Sequence, residues 1–229
     1  MNNWWNDILN LFFPAECHLC GHALSPHERF VCTPCIETLP RTGYHRQLRN
    51  PMEERFAGQF PFVGATGHFF YSRDSSLAQL IQDMKYRNFP SIGEKMGEIA
   101  GEELFVTGFL NDIDLIVPVP MHFLKKARRG YNQVDNIAKG IGKASDIRVE
   151  DVLKMMRPRK SQTTLSQSKR LANAESLFMP RKKYDLNDKG VLLVDDICTT
   201  GATLGSAAKS LTDAFPKIRL SLFALAVTF

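Results

Sequence analysis

Long apolar runs are missing from this 229-residue chain. No stretch reaches the roughly 18 uninterrupted apolar residues of a membrane-spanning helix, and the best candidate, residues 220–229, reads as a short buried strand. Residues 1–13 hold no Lys or Arg, and no small-residue cleavage site follows them. A secretory leader is therefore not expected, and the expected location is the cytoplasm. Low-complexity tracts and collagen-like periods are absent as well. Cysteine is scarce at five residues, and in a chain expected to be cytosolic these do not suggest a disulfide framework. Hydrophobic residues make up 44% and charged residues 23%, an ordinary globular balance that excludes disorder. The two tryptophans, Trp4 and Trp5, fall in a pattern with Ile8, Leu9, Leu11, Phe12 and Phe13 that predicts a helix stopped by Pro14. Its polar face lacks Lys and Arg, which favours docking against the body of the protein over a membrane surface.

What the chain does have is an uneven charge. The net charge is +5, yet residues 121–183 alone hold sixteen Lys or Arg against five Asp or Glu, an excess of eleven that leaves −6 to the rest. A basic middle in an otherwise acidic chain calls for a polyanionic ligand, either phosphates or a nucleic-acid backbone.

The organisation reads as an N-terminal helix and cysteine segment over 1–41, a polar irregular linker over 42–59, and one domain over 60–229. From Phe60 onward strand and helix patterns alternate: strands at 62–71, 115–119, 152–156, 190–194 and 218–227, and helices at 75–86, 92–110, 132–144 and 203–215. The polar stretch 165–177 reads as partly helical or mobile. Leu77, Leu80, Ile81 and Met84 line one face of the 75–86 helix, with Ser75 or Asp74 as its cap. Alternation of this kind predicts an α/β fold with a mostly parallel sheet and flanking helices.

The most informative stretch is Val191-Leu192-Leu193-Val194-Asp195-Asp196-Ile197-Cys198-Thr199-Thr200-Gly201-Ala202-Thr203. A strand apolar on both faces ends at two adjacent carboxylates, and a hydroxyl-rich turn leads directly into a helix. Ligands of parallel sheets bind above the carboxyl ends of the strands. A helix N-terminus offers free N–H groups and a positive dipole end to a phosphate, and Gly201 permits close approach. Two like charges do not hold a phosphate; they suit sugar hydroxyls or a metal-bound ligand. The plainer alternative is a capped helix start.

This stretch resembles the signature of the type I phosphoribosyltransferases, although Cys198 stands where an aliphatic residue or Tyr is usual. The resemblance implies that Asp195 and Asp196 hold the 2′- and 3′-hydroxyls of phosphoribosyl pyrophosphate, and that Thr199, Thr200, Gly201, Ala202 and Thr203 wrap its 5′-phosphate. It also implies Mg²⁺, carried mainly by diphosphate oxygens and water. Met84-Lys85-Tyr86, Ile116-Val117-Pro118-Val119-Pro120, Arg128-Arg129-Gly130-Tyr131-Asn132-Gln133, Ser161-Gln162, Leu165, Arg170, Asn173 and Phe178, behind a leading pair of cysteine motifs, narrow the resemblance to the ComF family. That family joins a small zinc module to a type I phosphoribosyltransferase domain and includes competence proteins. A diphosphate leaving group needs counter-charge, for which Arg128 and Arg129 beyond the stiff Pro118–Pro120 turn are candidates. Arg157, Arg159, Lys160 and Arg170 lie in the segment that resembles the mobile loop closing over substrate in these transferases. A solvated basic face is the alternative for each.

Cys17-x2-Cys20 and Cys32-x2-Cys35 have the spacing of two knuckles around a tetrahedral Zn²⁺, with a redox pair or iron as alternatives. His18, His22 and His27 are surplus once four thiolates are counted and read as bystanders. About forty residues cannot bury a core alone, so the metal would supply much of their folding energy. The module is expected to brace the transferase domain or contact a partner.

Two functions follow. One is a transferase that passes the phosphoribosyl group to an acceptor, or hydrolyses it. The other is a protein that handles single-stranded DNA, alone or with other competence proteins, and uses the pocket as a ligand sensor. A purine-responsive repressor of the same fold ranks last, since no winged-helix segment is present. The acceptor pocket would fall to a hood over 56–110. Neither the acceptor, a general base nor the oligomeric state is encoded in any pattern here.

Overall fold

The computed structural model describes residues 15–87, 89–156 and 177–228. The expected helix over 1–13 lies outside the described residues, as do Arg157, Arg159, Lys160 and Arg170. Two short helices come first, α1 (Thr33–Glu37) and α2 (Pro51–Phe56), followed by β1 (Gly64–Phe70), α3 (Ser76–Tyr86) and α4 (Pro90–Val106). Then come β2 (Leu115–Pro118), α5 (Phe123–Arg129), α6 (Gln133–Ser145), β3 (Leu153–Met155) and β4 (Phe178–Pro180). The chain continues with β5 (Gly190–Cys198), α7 (Ala202–Ala214) and β6 (Arg219–Val227). Among the described residues no helix is long and apolar enough to cross a membrane.

Four strands form one sheet in the order β1-β6-β5-β2, and every neighbouring pair is parallel. The expected mostly parallel sheet is therefore present, with β3 and β4 set apart as an antiparallel pair. β5 and β6 are central and covered on both faces, which is why they read as continuous apolar runs. On one face Leu77, Leu80, Met84, Ile92 and Ile137 of α3, α4 and α6 pack against Leu192, Val194 and Phe223. On the other, Leu204, Ala207 and Leu211 of α7 pack with Phe56 against Leu193 and Leu222. Cys17, Val31, Cys32 and Leu39 join the first cluster, so the cysteine segment packs against the helices on that face of the sheet.

The stretch 42–59, expected to be irregular, instead protects the sheet edge. Thr42 donates its N–H to the His68 carbonyl at 3.0 Å and Asn50 Nδ2 to the Ala65 carbonyl at 2.9 Å, continuing a bond at 2.8 Å from the Phe70 N–H to the carbonyl of Pro40, just before the stretch. An open edge strand is thereby closed. Asn50 also caps α2 by accepting the N–H groups of Met52 and Glu53, and Pro51 takes the first helical position. Met52 and Phe56, four residues apart, are fully buried beneath it. This cap, the proline and one apolar pair were all present in the sequence, but six residues are too short for a periodic signal. The helix expected over 92–110 ends at Val106, and α5 was not anticipated. Ser75 caps α3 through its side chain, which accepts from Ala78 N–H.

His68 on β1 is 2% exposed, and neither ring nitrogen has a hydrogen-bond partner. Burial holds its pKa down at about 4, against an ordinary 6.5, with the Glu103 carboxylate pulling it up and His45 and Arg41 pulling it down. The unfolded chain therefore takes up a proton near pH 6.5 that the folded chain refuses until about pH 4. The His68 contribution is fully present above pH 6.5 and is lost as pH falls toward 4, a change of about 3 kcal/mol. Denaturant midpoints measured between pH 7 and 4.5 should fall steeply, and His68→Gln should flatten that slope.

Candidate functional site

β5 carries its two acids near its carboxyl end. Asp195 and Asp196 are 6% and 9% exposed. Lys85 Nζ, from the last turn of α3, lies 2.6 Å from Asp196 Oδ2. Gln133, the first residue of α6, donates from Nε2 to the same oxygen at 2.7 Å. The other oxygen of Asp196 accepts the Ile197 N–H at 2.7 Å, and Asp195 Oδ1 accepts the Asp196 N–H at 2.9 Å.

This arrangement splits the pair electrically. Burial, then the neighbouring Asp196 carboxylate, push Asp195 well above the usual carboxylate range. Burial also opposes the Asp196 charge, but the Lys85 ammonium and Gln133 outweigh it and hold this carboxyl below its ordinary value. Of the two, Asp195 thus holds its proton more tenaciously and Asp196 is the readier anion.

Arg129 reaches this cluster from α5. Its guanidinium donates to Gln133 Oε1 and to the Tyr86 hydroxyl, each at 3.1 Å, and lies 4.8 Å over the Tyr86 ring. Arg128 is exposed on α5 and is not drawn in. Buried Asn132 donates to the Val119 carbonyl at 3.1 Å and so fastens the Pro118–Pro120 turn to the start of α6.

Beyond the acids, Thr199, Thr200 and Thr203 are exposed around the start of α7. Gly201 is the N-cap of that helix at φ 80°, and a Cβ there would lie 2.9 Å from Phe56 Cε1. Both the left-handed conformation and the packing of α2 behind the turn require glycine. Thr200 Oγ1 accepts the Ala202 N–H at 3.3 Å. A small cradle is lined by Asp195, Ile197, Cys198 and residues 199–204. Arg55 of α2 braces it from behind: its guanidinium donates to the carbonyls of Thr199, Cys198 (3.4 Å) and Thr228 (2.9 Å).

The structure thus gathers Asp195, Asp196, the 199–203 turn and Arg129 at one end of the sheet. Arg55, Lys85 and Gln133 were not singled out as site residues. Lys85 and Gln133 stood only within motifs of the resemblance, and Arg55 lay in a segment read as linker. A lone cation in the last turn of an amphipathic helix carries no sequence signal of what it meets across the fold.

The four cysteines also converge. The sulfurs of Cys17, Cys20, Cys32 and Cys35 all lie within 4.8 Å of one another, and those of Cys20 and Cys32 are 3.7 Å apart. A tetrahedron with roughly 2.3 Å Zn–S bonds has edges of about 3.8 Å, so the cluster could hold zinc. None of the cysteines is in a disulfide. Burial disfavours the Cys17 thiolate, but N–H groups of Cys32, Cys20 and Leu19 overcome it and bring the thiol to about 6. Hydrogen bonding to Cys32, followed by burial, drives Cys35 the opposite way. Four crowded sulfurs ionise together only around a cation.

Residues 108–226 match the family described as phosphoribosyl transferase domain. Competence protein F of Haemophilus influenzae is 30% identical over 216 residues, covering 87% of this chain and 92% of that protein. The allosteric regulatory enzyme of purine biosynthesis resembles 62% of the chain at 16% identity and a TM-score of 0.42. A glutamine phosphoribosylpyrophosphate amidotransferase from B. subtilis does so at 17% identity, with the same coverage and TM-score. The chain spans under a third of either solved structure, 29% and 30%. The sheet with its flanking helices has the type I phosphoribosyltransferase fold, and by the family match and the competence relative the chain belongs to the phosphoribosyl transferase domain family as a protein of the ComF type.

Proposed function

We propose that the protein binds phosphoribosyl pyrophosphate at the carboxyl end of β5 and transfers or hydrolyses its phosphoribosyl group. The observation that carries this reading is the buried Asp195–Asp196 pair followed at once by a threonine turn opening the 13-residue helix α7. In this reading Asp195 and Asp196 take the ribose hydroxyls, and the N–H groups and hydroxyls of residues 199–203 take the 5′-phosphate. Arg129 and Lys85 offer cations to the diphosphate, with Arg128, Arg159 and Arg170 as further candidates on the same basic stretch. Mg²⁺ would come with the diphosphate and neutralise charge on the leaving group. Zn²⁺ would be structural, on Cys17, Cys20, Cys32 and Cys35. The division into a cysteine module over 1–41, a connector over 42–59 and a transferase domain over 60–229 belongs to the same proposal. The relative named competence protein F supports a link to competence; a cytoplasmic role in DNA uptake, with single-stranded DNA or competence proteins as partners, belongs to the same proposal.

Calorimetric titration of phosphoribosyl pyrophosphate with Mg²⁺ tests the reading. Asp195→Asn and Asp196→Asn should each weaken binding at least about tenfold, the scale of one lost hydrogen bond to a charged group. Affinity should strengthen as pH rises and Asp195, whose pKa burial and Asp196 raise, gives up its proton. A wild-type protein that takes up no ligand with Mg²⁺ present ends this proposal. Pyrophosphate release separates turnover from binding, and mass spectrometry with candidate nucleobases and amines names the acceptor.

A further inference from the structure

Four consecutive residues at the end of α3 each hold a different part of the molecule. The Asp83 side chain is 3% exposed, and its Oδ2 lies 3.1 Å from Nδ1 of His18, in the first cysteine knuckle. The Met84 carbonyl accepts the Tyr131 hydroxyl. Lys85 grips Asp196 on the sheet side, and Tyr86 lies under Arg129.

His18 is therefore not a bystander. Between Cys17 and Cys20, it is seated edge-on against Phe89 at 4.7 Å and Phe30 at 5.9 Å, and its carbonyl accepts from Gln79 Nε2 at 2.6 Å. Four thiolates on a metal would leave its imidazole free for Asp83. A buried carboxylate needs a partner. The other side chain at Asp83 is that of Arg87, at 3.3 Å and 70% exposed, where water screens an ion pair strongly. The helical turn is thus clamped between the knuckle on one side and the acids of β5 on the other.

We propose that His18 and Asp83 are positioning residues through which the cysteine knuckle sets Lys85 against Asp196, coupling the order of the metal module to affinity in the pocket. The coupling to affinity rests on reading that pocket as the phosphoribosyl pyrophosphate site. The test uses the full chain, with metal content measured in each variant, and compares His18→Ala, His18→Gln, Lys85→Met and His18→Ala with Lys85→Met. Hydrogen exchange is followed at 84–87 and 195–198, and phosphoribosyl pyrophosphate with Mg²⁺ is titrated by calorimetry.

His18→Ala should speed exchange in both stretches and weaken binding about tenfold, the scale of one charge-assisted hydrogen bond. His18→Gln, which keeps an N–H donor, should recover most of the loss. In the Lys85→Met background, His18→Ala should cost nothing further. Unchanged exchange in both stretches overturns the proposal, as does an equal loss of affinity with and without Lys85. If the wild type takes up no phosphoribosyl pyrophosphate, the pocket reading fails, and exchange alone decides whether the knuckle positions Lys85.

Discussion

Removal of metal by a chelator, or Cys32→Ser, should melt residues 15–39 and lower the thermal midpoint of the whole chain by on the order of 10 °C. Outside the sulfurs, the module buries little of its own: Val31 and Leu39 are its deeply buried apolar residues apart from Cys17 and Cys32, and all four lie in the cluster shared with α3 and α4. Without a cation the four thiols remain crowded and cannot all ionise. Structural zinc in small peptides contributes about 10 kcal/mol or more to folding; part of that is shared here with the docking surface. The sheet and its helices should persist, because the core that β5 and β6 share with α7 contains no residue of the module. Elemental analysis should find one zinc per chain, and exchange at 15–39 should rise on chelation while exchange in β5 and β6 holds. A metal-free protein with an unchanged midpoint would sink the zinc assignment.

Gly140→Ala should cost about 3 kcal/mol or more, lowering the thermal midpoint by roughly 6–12 °C, while Lys139→Ala on the exposed face of the same helix should cost little. α4 and α6 meet backbone to backbone on one face of the sheet. A methyl group on Gly140 would run into the Glu94 carbonyl and lie 2.6 Å from the Glu98 nitrogen. Across the same seam, a methyl on Gly101 would lie 2.9 Å from Ile141 Cα. Main chain cannot rotate out of the way as a side chain can, so the helices must separate. α6 begins with Gln133, so that displacement should also weaken the grip on Asp196; binding and stability should fall together.

The strands of the sheet and the helices packed on it were legible because each buries a continuous apolar run or an amphipathic stripe. The strand expected at 190–194 extends to Cys198 because β6 continues to pair with it through Val227. The 42–59 stretch was misread as irregular: its order comes from hydrogen bonds to the edge of β1, which lies further along the chain. α5 escaped because its seven residues, Phe123–Arg129, are mostly basic.

The candidate site divides in the same way. Asp195, Asp196, Gly201 and the threonines are contiguous, so local chemistry alone announced them, as it did the spacing of the four cysteines. Lys85, Gln133, Arg129 and Arg55 come from four separate helices, and His18 meets Asp83 across 65 residues. No local pattern encodes such meetings. They are set by how the helices pack on the sheet, because burial of their apolar faces decides which polar ends are brought together, and charge then settles which of those ends pair.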